Sequence, residues 1–165
     1  MFSYCADLVK RHRRDDFLQS LFVPAEARET MLALYALNAE LSQVRDKTGE
    51  ELIGQVRLAW WQEAVSAIYD GHPPREQPVL QALAQVTGHV PQEPLMALID
   101  SYREYFPELP DVEAAMDELA LVLLRAISPQ SEPGWQKAKS MIAKHRKRYG
   151  DGRNGWLNLK LLIAG

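Results

Sequence analysis

Polar side chains follow one another along a single face of a predicted helix, and their spacing makes them the first candidates for chemistry. Asn38, Ser42 and Arg45 recur every three or four residues, and Asp46 follows Ser42 by one helical turn. Where such a row faces a helical bundle it must be hydrogen-bonded, because each orphaned polar group costs about 1–3 kcal/mol. Two interpretations stay open from the residues alone: a hydrogen-bond network between helices, or the polar wall of a ligand pocket.

Other reactive residue types give weaker signals. The histidines are scattered, with no pair at the i, i+4 spacing of a helical metal site: His12, His72, His89 and His145. Cys5 is the only cysteine, so no disulfide can form within the chain, and we expect a small buried residue there. The sequence has no glycine-rich phosphate loop. These features exclude a disulfide scaffold and do not favour a zinc or cysteine enzyme.

Glycine and proline residues divide the sequence into helical segments joined by short loops. Apolar residues recur every three or four positions, and no stretch alternates at period two for long enough to predict a strand. We predict helices over residues 3–15, 24–46, 50–70, 78–86, 92–106, 111–127, 135–149 and 155–164. In the third, the periodic apolar residues are Leu52, Val56, Trp60, Ala64 and Ile68. The predicted fold class is all-α, a single helical domain over residues 1–165.

The composition is that of a soluble globular chain, with 47% apolar and 25% charged residues. No apolar stretch approaches the ~20 residues that span a bilayer, and no signal region is evident, so we expect a cytoplasmic protein. The net charge of −3 is unevenly divided: residues 133–165 hold eight basic residues and one acidic residue, whereas residues 1–132 carry a net −10. Such an asymmetry favours either an acidic partner or packing of the basic segment against its own body, and both interpretations stay open.

The basic C-terminal segment, residues 133–165, contains a candidate surface for a membrane or a partner. This surface consists of Lys144, Arg146, Lys147, Arg148 and Trp156. A basic helix followed by Trp156 fits an anionic membrane better than nucleic acid, because no nucleic-acid recognition motif accompanies the cations. Nucleic-acid binding is therefore disfavoured.

Short motifs occur in a fixed order through the first part of the chain. They are YC at 4–5, LFVPAEAR at 21–28, ALYALNAE at 33–40, VRD at 44–46, RLAWW at 57–61, YDGHP at 69–73, PVLQAL at 78–83 and LID at 98–100. This series, strongest over residues 4–103, resembles the squalene/phytoene synthase family. The motifs at 38–40 and 44–46 are most similar to the divergent branch that includes a mitochondrial complex I assembly factor.

The resemblance implies a helical bundle of the isoprenoid-synthase type, shortened in its C-terminal half, with a pocket between the helices. It points to six candidate residues for that pocket: Tyr35, Asn38, Ser42, Asp46, Arg57 and Trp60. At the start of the chain, Asp16 stands where the family's enzymes have a serine before phenylalanine, and a carboxylate there would repel a diphosphate.

The family's enzymes join two farnesyl or geranylgeranyl diphosphates head to head, with Mg²⁺ held by two aspartate-rich helix faces. The positions similar to the first of these motifs are Ser42, Gln43 and Asp46, so Asp46 is the one candidate metal ligand there. No second aspartate-rich motif follows residue 103, and the acidic pair Glu113 and Asp117 lies in a segment whose apolar pattern predicts a packing helix. One carboxylate binds Mg²⁺ poorly, because the ion keeps its waters unless several anionic oxygens converge.

The resemblance therefore implies a non-catalytic protein that acts as an assembly or membrane- and lipid-associated factor and needs no cofactor. Its partner would be a protein in respiratory-complex assembly or an anionic membrane surface, at the inner membrane face. An isoprenoid or another apolar ligand between the helices is compatible with this role. A homodimer is one way to cover apolar surface left open by the missing helices. The alternative is an active Mg²⁺-dependent prenyl transferase of isoprenoid biosynthesis.

Overall fold

A computed structural model describes residues 2–149, which form nine α-helices and one short 3₁₀ turn at Pro129–Ser131. The helices are α1 (Phe2–His12), α2 (Arg14–Ser20), α3 (Ala25–Ser42), α4 (Val44–Lys47), α5 (Glu51–Tyr69), α6 (Pro78–Val86), α7 (Gln92–Tyr105), α8 (Glu113–Ile127) and α9 (Glu132–Tyr149). No strand occurs in this range, and the predicted all-α fold is confirmed. The helix predicted over 155–164 lies outside the described residues, as does Trp156.

Two of the predicted helices are each divided by a short break. The segment predicted over residues 3–15 ends at His12, and α2 begins at Arg14 after Arg13, whose backbone is not helical (φ −135°, ψ 59°). The segment predicted over 24–46 is interrupted at Gln43, which separates α3 from α4. Both breaks turn charged side chains in new directions, and the first of them places Arg13 at the candidate site.

The central helix of the fold is α3, which is buried on nearly all sides. Its sequence is rich in alanine and leucine, which are strong helix formers, and Pro24 immediately precedes its first residue, where a missing N–H costs little. Thirteen of its 18 residues are buried, because α1, α2, α6, α7 and α8 all pack against it. An all-round apolar helix is stable only inside a core. Thr30, Asn38 and Glu40 are therefore exceptional, since they are buried polar side chains in this helix.

The inner face of α5 packs into the core. Leu58, Trp61 and Val65 are buried on this face, and α5 lies mainly against α7. Gly54 belongs to the same face, where the Phe106 ring occupies the space that a side chain would need. The close approach of α5 and α7 therefore depends on a residue that contributes nothing to the hydropathy pattern.

The opposite face of α5 is apolar but exposed. We call Leu52, Ile53, Val56 and Trp60 the outer stripe; Leu52 is 74% exposed and Val56 61% exposed. An apolar stripe of this periodicity normally faces a core. The sequence therefore predicted the helix correctly, but the N-terminal part of its clearest apolar stripe faces solvent.

Helix ends follow the glycine and proline signals. α5 ends before Gly71, which adopts φ +83°, a conformation that strains other residues. α6 begins with Pro78, and the Gln77 side-chain oxygen accepts hydrogen bonds from the backbone N–H groups of Val79 and Leu80. Among the helices described, none has both the length and the apolar composition needed to cross a bilayer.

Candidate functional site

A cavity of about 610 Å³ opens where the junction of α1 and α2 meets α3, α7, α8 and α9. Tyr35 and Ser42 of α3 and Tyr102 of α7 form part of its wall. Both tyrosines are buried, whereas half of the remaining wall residues are charged. We call this space the central cavity.

Asn38 lies behind this wall and is fully buried. Its Oδ1 accepts a hydrogen bond of 2.7 Å from the Tyr102 hydroxyl, which joins α3 to α7, while its Nδ2 has no hydrogen-bond partner. Ser42 donates to the Ala39 carbonyl oxygen at 2.9 Å and lines the cavity. The polar row of α3 therefore serves both of the interpretations left open by the sequence: a network at Asn38 and a cavity wall at Ser42.

The two tyrosines remain protonated at neutral pH. Burial raises the pKa of Tyr102 to about 12, and burial also raises the pKa of Tyr35 well above its ordinary value. The charges closest to them belong to Arg13 and Asp16, whose Nε–Oδ2 distance is 2.7 Å. Burial alone would lower the pKa of Arg13, but the Asp16 carboxylate outweighs it and the pKa is raised. Asp16 therefore faces the Arg13 cation beside the two tyrosines.

Cations of α9 pair with three of the other cavity carboxylates, and Asp111 is the exception among those that line the cavity. The Arg146 guanidinium lies 3.0 Å from Asp15, and the Lys139 ammonium lies 3.9 Å from Glu113 and also contacts Asp117. The basic segment thus packs partly against its own acidic body, one of the two interpretations that its charge left open. Glu113 and Asp117 form the edge of α8 that faces the cavity.

Arg57 and Trp60 line a different and smaller cavity, of about 220 Å³, beside Trp61, Val44 and the α3–α4 junction. The largely buried Glu40 carboxylate reaches this second cavity, where it accepts a hydrogen bond of 3.2 Å from Lys47. The Tyr4 hydroxyl donates to the other Glu40 oxygen at 3.2 Å.

The six pocket residues expected from the resemblance do not converge on one site. Tyr35 and Ser42 line the central cavity, Asn38 supports its wall, and Arg57 and Trp60 belong to the second cavity. Asp46 is on the surface of α4, 66% exposed, and its carboxylate lies 3.3 Å from the Arg45 guanidinium.

The charged surface predicted on α9 divides in a similar way. Lys144 and Lys147 are exposed, whereas Arg146 pairs with Asp15 and Arg148 also has an interaction within the chain. Within residues 2–149, no cluster of three or more histidine, cysteine, aspartate or glutamate side chains is arranged to hold a metal ion.

Several residues of the site were not predicted from the sequence. Arg13 and Asp16 are three residues apart, an ordinary spacing for a surface pair, and nothing local shows that a cavity opens beside them. Tyr102 continues the apolar pattern of Leu95, Leu98 and Ile99, so the pattern does not indicate a role for its hydroxyl group. The prediction that α8 is a packing helix is correct for its apolar face; its acidic edge could have been noticed only together with Lys139.

These observations define an all-α protein with a central cavity whose walls hold paired charges. The family model for squalene/phytoene synthase matches residues 9–121, and the chain belongs to this family. The resemblance inferred from the motifs is confirmed.

The chain is similar to proteins named NADH dehydrogenase (ubiquinone) complex I, assembly factor 6. The proteins from Bos taurus and Homo sapiens are each 35% identical to it over 98 residues, which is 59% of this chain and 29% of theirs. A homolog from Drosophila melanogaster is 29% identical over 92 residues, 52% of this chain and 27% of its own. The matches thus span less than a third of these relatives. No solved structure matches the chain.

The hydrogen bond between Tyr102 and Asn38 yields a direct prediction. Tyr102→Phe should lower the free energy of unfolding by about 1–3 kcal/mol, because it leaves the buried Asn38 oxygen without a donor. Adding Asn38→Leu should recover part of that loss, since both polar partners are then replaced by apolar groups. Urea denaturation of the unchanged chain, the two single variants and the double variant measures the coupling between Tyr102 and Asn38. Tyr105→Phe is the control, because Tyr105 is 57% exposed; a Tyr102→Phe effect no larger than that control would refute the role of this bond.

Proposed function

We propose that this chain is a non-catalytic member of the squalene/phytoene synthase family that binds a protein partner during the assembly of a respiratory complex. The observation that carries the proposal is the internal pairing of the cavity carboxylates. Asp16 pairs with Arg13, Asp15 with Arg146, and Asp117 with Lys139. Asp111 also lines the cavity; it has no cation among the described ion pairs and instead accepts a hydrogen bond of 3.2 Å from the Glu113 backbone N–H.

The donor set does not fit the magnesium chemistry of the family's enzymes. Mg²⁺ needs several converging anionic oxygens before it gives up its waters. Lys139 already contacts Asp117 and lies 3.9 Å from Glu113, so a metal would have to compete with this cation for both carboxylates. Asp46, the candidate ligand from the first motif, is exposed beside Arg45 rather than in the central cavity.

The similarity to complex I assembly factors supplies the class of partner. Because those proteins are named for assembling NADH dehydrogenase, we propose that this chain binds a subunit or an assembly intermediate of an equivalent complex. The match covers only part of each relative, so this partner class belongs to the proposal.

The assembly role is tested in the organism that encodes the chain. The tagged full chain should co-purify with NADH dehydrogenase subunits, and deletion of its gene should reduce the assembled complex on native gels and the NADH oxidation by membranes. Asp46→Ala should restore assembly in the deletion strain, because the proposed role needs no metal ligand there. An unchanged amount of assembled complex after deletion would refute the proposal.

A second candidate function, prenyl transfer, is favoured by family membership alone. Incubation with labelled farnesyl or geranylgeranyl diphosphate and Mg²⁺ should give no condensed product, while an active enzyme of the family gives product in parallel. Equilibrium dialysis of the same compounds tests for an isoprenoid ligand in the central cavity. Turnover that disappears in Asp46→Ala or Asp117→Asn would reverse our preference for the non-catalytic role.

We also propose that the chain is cytoplasmic and contacts the inner membrane face peripherally, through Lys144 and Lys147 on α9. Both side chains are exposed. The full chain should therefore co-sediment with vesicles containing anionic lipid, and less so as salt rises. The double variant Lys144→Glu/Lys147→Glu should bind less, as should a chain that lacks residues 151–165. Equal binding to neutral vesicles, or no effect of the double variant, would rule out this contact.

A further inference from the structure

The outer stripe of α5 is an apolar surface with no covering element in the described chain. Leu52, Val56 and Trp60 follow one another at intervals of four residues, so the stripe extends about 12 Å along the helix. Ile53 widens it and is 45% exposed. Scattered exposed apolar residues are ordinary, but a continuous stripe of this kind marks a binding surface.

The second cavity lies beside the C-terminal end of this stripe. Trp60 belongs to both, and Trp61 packs against it edge to face at 5.2 Å between ring centroids. The apolar part of the cavity wall is completed by Val44. A groove that ends in an aromatic-lined cavity suits a helix that inserts one bulky apolar side chain.

Arg57 gives the surface its charge preference. Among the described residues, the other cations near this surface all have carboxylate partners: Lys47 pairs with Glu40, and Arg75, stacked 5.1 Å from the Trp60 ring, pairs with Glu63. Arg57 is exposed at the rim of the second cavity and has no ion pair or hydrogen bond within the described chain. A carboxylate on a partner would give Arg57 an ion pair.

The charges around the outer stripe also help to decide which kind of partner it binds. An anionic membrane would meet the exposed Glu50, Glu51 and Glu63 along the same helix. A second copy of this chain, paired two-fold about Val56, would place Arg57 beside the Arg57 of the other copy, where like charges repel. An extended peptide could not add to α5 as a strand, because helical backbone groups are already hydrogen-bonded. A partner helix with an apolar face and one carboxylate placed at Arg57 avoids these obstacles, because a single local charge need not approach the glutamates.

We propose that the outer stripe docks an amphipathic helix of a partner protein, with a bulky apolar side chain in the second cavity and a carboxylate on Arg57. This inference rests on the proposed function for the existence of a partner, and it adds the surface and the partner's chemistry. It places the protein contact on α5, away from the basic segment of α9.

The test uses the full chain and two synthetic helical peptides with the same leucine and phenylalanine stripe, one flanked by glutamate and one by lysine. Fluorescence anisotropy should show that the acidic peptide binds about threefold or more tightly than the basic one, and Arg57→Glu should reverse that order. Val56→Glu should weaken binding of the acidic peptide about tenfold. Val122→Glu is the matched control, because Val122 is an exposed valine on α8, and it should change nothing.

Three results would overturn the proposal: no preference between the peptides, binding that survives Val56→Glu, or equal loss in Val122→Glu. Light scattering and vesicle sedimentation cover the other occupants; a dimer or a membrane contact that Val56→Glu abolishes would assign the stripe to a second copy or to lipid instead. Complementation of the deletion strain separates this inference from the assembly role. If assembly depends on the chain but Val56→Glu complements fully, the docking surface is wrong and the proposed function stands.

Discussion

Charge neutralisation around a half-open cavity is the constraint on which this structure depends. Asp15 and Asp16 are adjacent on the short helix α2, and their like charges near buried tyrosines would be unfavourable without nearby cations. Arg13 supplies one cation from the break between α1 and α2, and Arg146 supplies another from α9. Each pair is partly exposed and contributes little alone. Arg146 and Lys139 hold α9 against α2 and α8, and the pair of Arg13 and Asp16 holds the junction of α1 and α2. These ion pairs together shape the cavity.

The buried face of α3 gives this charged layer a rigid support. α3 carries core side chains on nearly every side, so it cannot shift without disturbing the helices packed around it. The bond from Tyr102 to Asn38 extends that rigidity to α7. The inner wall of the cavity is consequently made by fixed hydroxyl groups, while its outer wall is made by ion pairs that can exchange with water.

The helix breaks at Arg13 and Gln43 and the part of α2 beyond residue 15 were not predicted from the sequence. Most of the other helices and the family could be predicted, because periodicity, proline, glycine and short motifs are local signals. The faces of α5 could not, because the core face depends on the contact between Gly54 and Phe106, and a glycine leaves no mark in a hydropathy pattern. The pairing of Arg146 with Asp15 joins residues 131 positions apart, so only the fold reveals it. The six pocket candidates were chosen by motif similarity, and motifs on α3 and α5 open onto different cavities.

Internal pairing changes what a fold of this family can respond to. In a site built from carboxylates alone, charge balance requires a bound cation, and the structure around the site depends on that ligand. Lys139 and Arg146 belong to the chain, so they supply part of that balance around the central cavity without any ligand. Walls that are held by ion pairs of the chain depend less on a bound metal for their organisation. On the outside, the outer stripe has no covering element and Arg57 has no carboxylate partner in the described chain, and such a surface is where binding of a partner has the most to gain.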